Sequence, residues 1–323
     1  MNSLSLKHKK LEEIRKKAIP SQVFFNHFFA ISYNIDCDTE KLKLSKIEYY
    51  NKLKCKNSKI NLNQIQKLLW NSWSTEYAFS ISSLVDNIDY YKCALHWIFP
   101  QAYYSIYLCM TAFHETQGIS SDNHESSINI FGNSVKSKHY PKSISFYCKG
   151  QHQDFKNMGL DHFNGFSDDH NVLSKINSLD EAHNQIASFL KTTREKSAES
   201  KREKYKMKND SRFHTKKGEF RKSFSKSHWD IVYKNIPETN FLNIMYRLRI
   251  KANYHDVETF INASIDFKLF YTVLKNIVGY LNFIHEAYIC KCIGNLEYEK
   301  ILNSISDQIN TDTAKERYKS FKK

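Results

Sequence analysis

Along residues 94–117 the apolar side chains Tyr103, Ile106, Tyr107, Met110 and Phe113 fall at relative positions 0, 3, 4, 7 and 10, the repeat of one buried helix face. The same rhythm runs through 62–86, carried by Ile65, Leu68, Leu69 and Trp73. It is longest in 265–289, where Phe267, Phe270, Tyr271, Leu274, Ile277, Val278, Leu281 and Ile284 make one stripe. These stripes predict a bundle with its core built from 62–118 and 236–309, and a further helix over 296–309. Residues 4–34 read as a charged helix running into an aromatic segment at 23–29. Breakers are scarce: the chain holds 8 Gly and 4 Pro, where average usage gives roughly 23 and 16. Long helices, and a mainly α fold, are the expectation, with Pro100 in the first turn of its helix, where a missing N–H costs nothing.

Residues 35–60 are rich in Lys and Asn and read as a linker. The stretch 137–177 carries many His, Asp and aromatic residues and one short strand pattern at 143–148. Its Cys148, His152, His162 and His170 are separated by 3, 9 and 7 residues, which matches no metal signature, and no metal site is expected. Ser178 and Glu181 form a capping box that should open a new helix, with Ile186, Phe189 and Leu190 facing inward. That helix leads into 191–226, where 14 Lys/Arg stand against 5 Asp/Glu and apolar residues nearly vanish. This basic arm is expected outside the core, as a solvated face or as a surface for phosphates. Arg194, Lys201, Arg202, Lys204, Lys206, Lys208, Arg221 and Lys222 are its expected phosphate contacts, and Tyr205, Phe213, Phe220 and Phe224 can stack on unpaired bases. The charged tail 315–323 is expected to fray.

The formal charge of +14 asks for an acidic partner, nucleic acid ahead of membrane, since no basic amphipathic anchor stands out. Seven Cys without a Cys-x-x-Cys pair suit reduced thiols in a cytoplasm. No signal peptide and no run of about 18 apolar residues is present, so a soluble, cytoplasmic protein is expected. Gly-rich phosphate loops, Gly-x-Ser-x-Gly, His-Glu-x-x-His and paired-carboxylate metal motifs are absent; no cofactor is expected.

Chemistry-bearing residues crowd into 243–260, NIMYRLRIKANYHDVETF. Arg249 is a permanently charged anion clamp, and His255 titrates near neutral pH. Asn253, Tyr254 and Asp256 lie beside them as supporting groups. Such an Arg-to-His spacing arises about once by chance in a chain of this composition. A second match, Arg221 to His228, sits in a Ser/Lys-rich run without apolar pattern and reads as a decoy. The bland counterpart for Arg249 and His255 is a helix-end ion pair with Asp256 or Glu258.

Two blocks, 94–135 and 240–289, resemble the conserved helical halves of the HEPN superfamily. PQAYYSIYLCMTAFHETQG (100–118) resembles the family's helix with paired tyrosines, a small residue, an aromatic and a His. HESSINIFGNSV (124–135) resembles its short helix with a His, two small residues, an apolar residue and a Phe. Arg249-Ile-Lys-Ala-Asn-Tyr-His255 is similar both to the family's Arg-to-His catalytic motif and to the Arg-x-x-Ala-Asp-Tyr motif of members not all known to cut RNA. Ile250 stands where the catalytic version usually has a polar residue. The resemblance implies an up-and-down helical bundle with halves at 62–136 and 236–323, an N-terminal helical extension at 1–61, and a long basic insertion at 137–235. It also implies a metal-independent endoribonuclease acting as a homodimer on RNA, in the manner of toxins and antiphage effectors, with a protein partner in a defence or toxin–antitoxin system. The competing implication is a non-catalytic RNA-binding or adaptor module.

RNA cleavage through the 2′-hydroxyl needs two proton transfers, and His255 supplies one group per chain; a two-fold dimer would supply the other. Arg249 would stabilise the phosphorane. His114, beside Glu115 at a helix end, is expected to favour a protonated imidazole and to serve either packing or the cleft.

Overall fold

In the computed structural model, residues 3–82, 84–85, 87–121, 123–151, 154–166, 175–254 and 266–322 are described, with backbone alone for 3–18 and 251–254. About 70% of the described residues are helical, as the scarcity of Gly and Pro predicts. Helix α1 (Ser3–Cys37) is followed by a loop that contains the single turn α2 (Glu48–Lys52), and then by α3 (Leu62–Ser82) and α4 (Ile88–Thr116). Next come α5 (His124–Lys136) and the hairpin β1 (Tyr147–Gln151)–β2 (Asp154–Met158). Helices α6 (Leu179–Met207) and α7 (Lys226–Lys234) lead to β3 (Thr239–Asn240) and α8 (Phe241–Tyr254). The described chain closes with α9 (Phe267–Ile293), α10 (Asn295–Ser306) and α11 (Asp312–Phe321).

The core is one body in which α4 packs against α3, α8 and α9. Ile65, Leu69, Trp73, Tyr103, Ile106, Met110, Phe270, Leu274, Ile277 and Leu281 are all buried, so the three stripes do face one another. Helix α4 starts well before Pro100: Asn87 Oδ1 accepts from Asp89 N at 2.9 Å and Tyr90 N at 3.0 Å, and this N-cap outranks the proline as a start signal. Pro100 lies buried inside the helix.

The second half of α1 packs into this core. Phe25 meets Phe270 of α9 with ring centroids 4.3 Å apart, and Phe24 meets Phe189 of α6 at 5.2 Å. The first half of α6 belongs to the same core through Ala182, Ile186, Phe189 and Leu190, opened by the predicted box: Glu181 N donates to Ser178 Oγ at 3.2 Å and Ser178 N to Glu181 Oε2 at 3.1 Å. The expected strand at 143–148 begins later, at Tyr147, because Lys142–Ile144 makes a 3₁₀ turn. It lies in a three-stranded antiparallel sheet of order β2-β1-β3, with Tyr147 opposite Met158 and Asn240.

The basic arm departs from expectation in having a small core of its own. Ala198, Tyr205, Phe213, Val232 and Tyr233 are buried together, with Phe220, Phe224 and Trp229 packed against them. The charged tail does not fray either. In α11, Arg317 enters the bundle between Glu76 of α3 and Glu286 of α9, reaching their carboxylates at 2.7 and 2.6 Å. Among the described residues no helix is long and apolar enough to cross a membrane.

Candidate functional site

Helices α4, α5 and α8 converge at one place. Asn240 opens α8 by accepting from Leu242 N at 2.9 Å, and its Nδ2 reaches Ile128 O in α5 at 3.3 Å. Gly132 permits this approach, because a Cβ there would stand 2.6 Å from Asn240 Nδ2. The short α5–α8 distance carries His124, the first residue of α5, against Tyr246, with ring centroids 5.5 Å apart. Helix α4 supplies the rest of the wall: Tyr107 lies 4.6 Å, Tyr103 5.4 Å and Tyr104 5.9 Å from the His124 ring. Tyr103 OH and His124 Nδ1 are hydrogen-bonded at 2.8 Å.

Arg249 follows Tyr246 by about one turn and shares its surroundings. Its Nε donates to Tyr104 OH at 2.9 Å, and the guanidinium lies 5.2 Å from the Tyr104 ring and 5.5 Å from that of Tyr246, contacts of cation–π type. Burial and the charge of Arg249 both hold the His124 imidazole below its ordinary pKa, so it is mainly neutral at pH 7. Burial raises the Tyr103 phenol far above its ordinary value, and it stays protonated. The cluster thus joins one fixed cation, one neutral imidazole and four phenol rings at the positive end of a helix.

A groove of about 630 Å³ runs beside this cluster between α5, α6, α8 and the 235–238 segment, and Tyr246 and Ile250 belong to its wall. Lys196, Lys201 and Lys204 line it from α6, and Arg247 from α8. Arg247 Nη1 is held by the hydroxyls of Thr192 and Thr193, each at 2.9 Å. Burial lowers its pKa to about 10. Lys204 reaches Glu125 at 3.4 Å across the groove. The arrangement suits a chain of anions passing toward Arg249.

The residues singled out in the sequence divide as follows. Arg249 lies in the cluster. His255 and Asp256 lie outside the described residues, and Asn253 and Tyr254 are described only as the last turn of α8. Lys201 and Lys204 reach the groove, whereas Lys206, Lys208 and Lys222 are exposed away from its lining. Arg202 bonds the carbonyls of Arg221 and Lys222 at 3.3 and 2.6 Å, and Arg221 N donates to Phe213 O. Arg194 requires correction. It is buried, donating to Gly150 O at 2.8 Å and Pro237 O at 2.7 Å, and so welds α6 to the hairpin instead of meeting a phosphate. Tyr205 and Phe213 are corrected likewise: both are buried, and Phe213 stacks on Tyr205 at 4.7 Å and on Phe224 at 4.9 Å, leaving the bases no free face of Phe213.

For His114 the packing reading holds, and only the expected protonated imidazole is corrected. Burial lowers its pKa to about 4, so it is neutral and lies in the core, not in the cleft. His124, Tyr104 and Tyr246 are the site residues that sequence reasoning missed. The paired tyrosines and the His-led short helix were visible as patterns, but no linear spacing ties them to Arg249. Among the described residues no group of three or more His, Cys, Asp or Glu is placed to hold a metal ion; Cys148 is buried in the core and His162 pairs with Asp180.

No family model, no curated protein and no solved structure matches this chain.

Proposed function

We propose that the chain is a HEPN-type, metal-independent endoribonuclease whose up-and-down bundle comprises α3, α4, α5, α8 and α9. The observation that carries this reading is the position of Arg249: a guanidinium at the meeting point of three helices, beside an imidazole, with its neighbours Tyr246 and Ile250 in the wall of a lysine-lined groove. A phosphodiester in the groove would meet Arg249 as its phosphorus gains charge, and a donor preorganised in this way is worth roughly 10²–10³ in rate. His255, the residue after Tyr254 in the sequence, is the proposed proton-transfer group, worth roughly 10²–10⁴. The RNA supplies the nucleophile, its 2′-hydroxyl, while protein groups accept the 2′-proton and protonate the departing 5′-oxygen, so the proposed reaction needs no metal. Action as a homodimer, and a role as toxin or antiphage effector with a partner chain, follow from the HEPN resemblance. The test is incubation of the purified chain with total RNA in EDTA, with Arg249→Ala and His255→Ala beside wild type. Cleavage to 2′,3′-cyclic phosphate ends by wild type alone is the expected result.

A second reading, an RNA-binding or adaptor module without catalysis, is favoured by the hold of Tyr104 on Arg249 and by exposed Ile250 in the position after it. It expects RNA retention with no cleavage, and equal retention by His255→Ala.

A further inference from the structure

We propose that Arg247 is a phosphate seat, a guanidinium in the groove wall that anchors one phosphate of a nucleic-acid strand and so fixes where the strand lies. This rests on the RNA reading above only for the source of that phosphate. Arg247 is an unusual cation. Of its guanidinium donors, those of Nη1 are held by the Thr192 and Thr193 hydroxyls, each at 2.9 Å. Nε is buried without a partner, and Nη2 has none among the described residues. Glu195 is the one carboxylate whose charge acts on it, and it stands beyond ion-pair reach.

A guanidinium taken out of water without a carboxylate destabilises a fold unless other contacts offset the lost hydration. Here the Phe189 and Phe24 rings lie 5.3 and 5.8 Å from it, and together with two neutral hydroxyls they offset part of that loss. Burial lowers its pKa to about 10, so it stays charged at neutral pH. The groove it lines contains two carboxylates, Glu125 and Glu238. They are paired with Lys204 and Lys136, and neither reaches Arg247. A phosphate that meets Nη2 from the groove supplies the counter-charge that no described carboxylate supplies.

The row of side chains beside Arg247 favours a strand of phosphates over a single anion. Thr193, Ser197, Ser200, Lys201 and Lys204 recur at one-, three- and four-residue steps along α6 and line the groove, the spacing of one helix face. Thr193 marks the Arg247 end. Lys204 stands about 16 Å further along the helix axis, so cations and hydroxyl donors alternate over a length that repeated phosphates can follow. Lysines on long flexible stems adapt to the strand, whereas Arg247, clamped by two hydroxyls and two rings, is the fixed point.

The experiment uses the full-length chain and two probes that cannot be cut, inorganic phosphate and a 2′-O-methyl oligoribonucleotide. Wild type and Arg247→Met are compared at constant ionic strength, with chloride replacing phosphate in the control. The wild-type urea midpoint should rise with phosphate, as binding to the folded state requires, and that of Arg247→Met should not. Without ligand, Arg247→Met should be at least as stable as wild type, because it loses a cation that lacks a carboxylate. A purely structural tie would give the opposite sign. Oligonucleotide affinity should fall roughly 10–100-fold, and Arg247→Lys, which keeps the charge without the fork, should recover part of it. Wild-type affinity in Arg247→Met with a lowered ligand-free midpoint would overturn the proposal. So would a wild-type midpoint that ignores phosphate, a result that needs no variant to fold. Equal binding of a poly-glutamate peptide, lost in Arg247→Met, would overturn phosphate as the ligand class. Phosphate stabilisation lost in Arg247→Met, with no oligonucleotide binding by wild type, would keep the seat and overturn RNA as its source. Neither probe requires turnover, so intact RNA with the wild-type chain would overturn the ribonuclease reading alone.

Discussion

His114 ends α4 next to Glu115, a position where the helix dipole favours an imidazolium by up to about 2 kcal/mol. Its pKa falls from 6.5 to about 4, a burial cost of roughly 3 kcal/mol, so burial wins. His285 is held at about 3 by burial and by its neighbour His114, with Nε2 bonded to Tyr140 OH at 3.0 Å. His183 sits at about 4, first through burial. Its Nδ1 accepts from His162 N at 2.9 Å, and its Nε2 bonds Asn34 Oδ1 at 2.9 Å, so the added proton would displace a donor. All three folded values lie below the unfolded value of about 6.5. The unfolded chain therefore binds more protons below pH 6.5, and stability present above that pH is lost as pH falls toward 4. His114 and His285 can each contribute up to about 1.4 kcal/mol per pH unit within this window. The urea midpoint should drop clearly between pH 7 and pH 5, and His285→Gln should flatten the slope; equal midpoints at the two pH values would refute it. None of this was legible in the sequence, because a histidine's charge is set by neighbours that the fold brings from other helices.

At the scale of elements, local signals were read well and distant ones were not. The box at Ser178 and Glu181 lies within three residues and fixed the start of α6 as expected. The density of charge in 315–323 suggests a fraying tail, yet Asp312–Phe321 forms α11. Its inward residues Ala314, Arg317, Tyr318 and Phe321 include a cation whose partners are Glu76 and Glu286, on two other helices. Trp73 Nε1 adds a bond to Glu286 at 2.8 Å, and Asn282 Nδ2 one to Glu76 at 3.0 Å. Burial raises the Glu286 carboxyl, and Arg317 opposes that shift. Removing the guanidinium leaves two buried carboxylates facing each other. Arg317→Leu should therefore cost about 3–5 kcal/mol, read from urea unfolding, and adding Glu76→Gln with Glu286→Gln should recover part of it. An unchanged midpoint for the single variant would show that α11 only rests on the surface. Gly132 makes a related point for the site. Ala there must push Asn240 Nδ2 away from 2.6 Å, so, on the proposed ribonuclease reading, Gly132→Ala should weaken RNA cleavage through the α5–α8 spacing while keeping helix content by circular dichroism.

Across the whole molecule, the sequence placed the excess charge in 191–226 but not the face on which it works. A helix that is basic on nearly every side gives no direction until its apolar residues find partners. Here Phe189 and Leu190 join the bundle, while Ala198 and Tyr205 join the second core. That orientation turns Lys196, Lys201 and Lys204 toward the groove and takes Arg194 inside. The consequence is a division of labour between cations along the chain. If the three lysines hold the RNA backbone, each contributes a screened, sequence-independent attraction. Changing all three to Gln should then weaken binding and reduce the salt slope by roughly 2, at about 0.7 per lost phosphate contact on a single strand. Cleavage at saturating RNA should persist. On the proposed ribonuclease reading Arg249→Ala should do the reverse, lowering turnover with little change in affinity, because a contact that strengthens only as the phosphorane forms acts on the transition state. Replacing exposed Lys208 and Lys222 with Gln provides the comparison, since they lie away from the groove lining and should change the salt slope less. A salt slope untouched by the groove variant but reduced by the Lys208 and Lys222 pair would place the RNA track on the outer face of the arm.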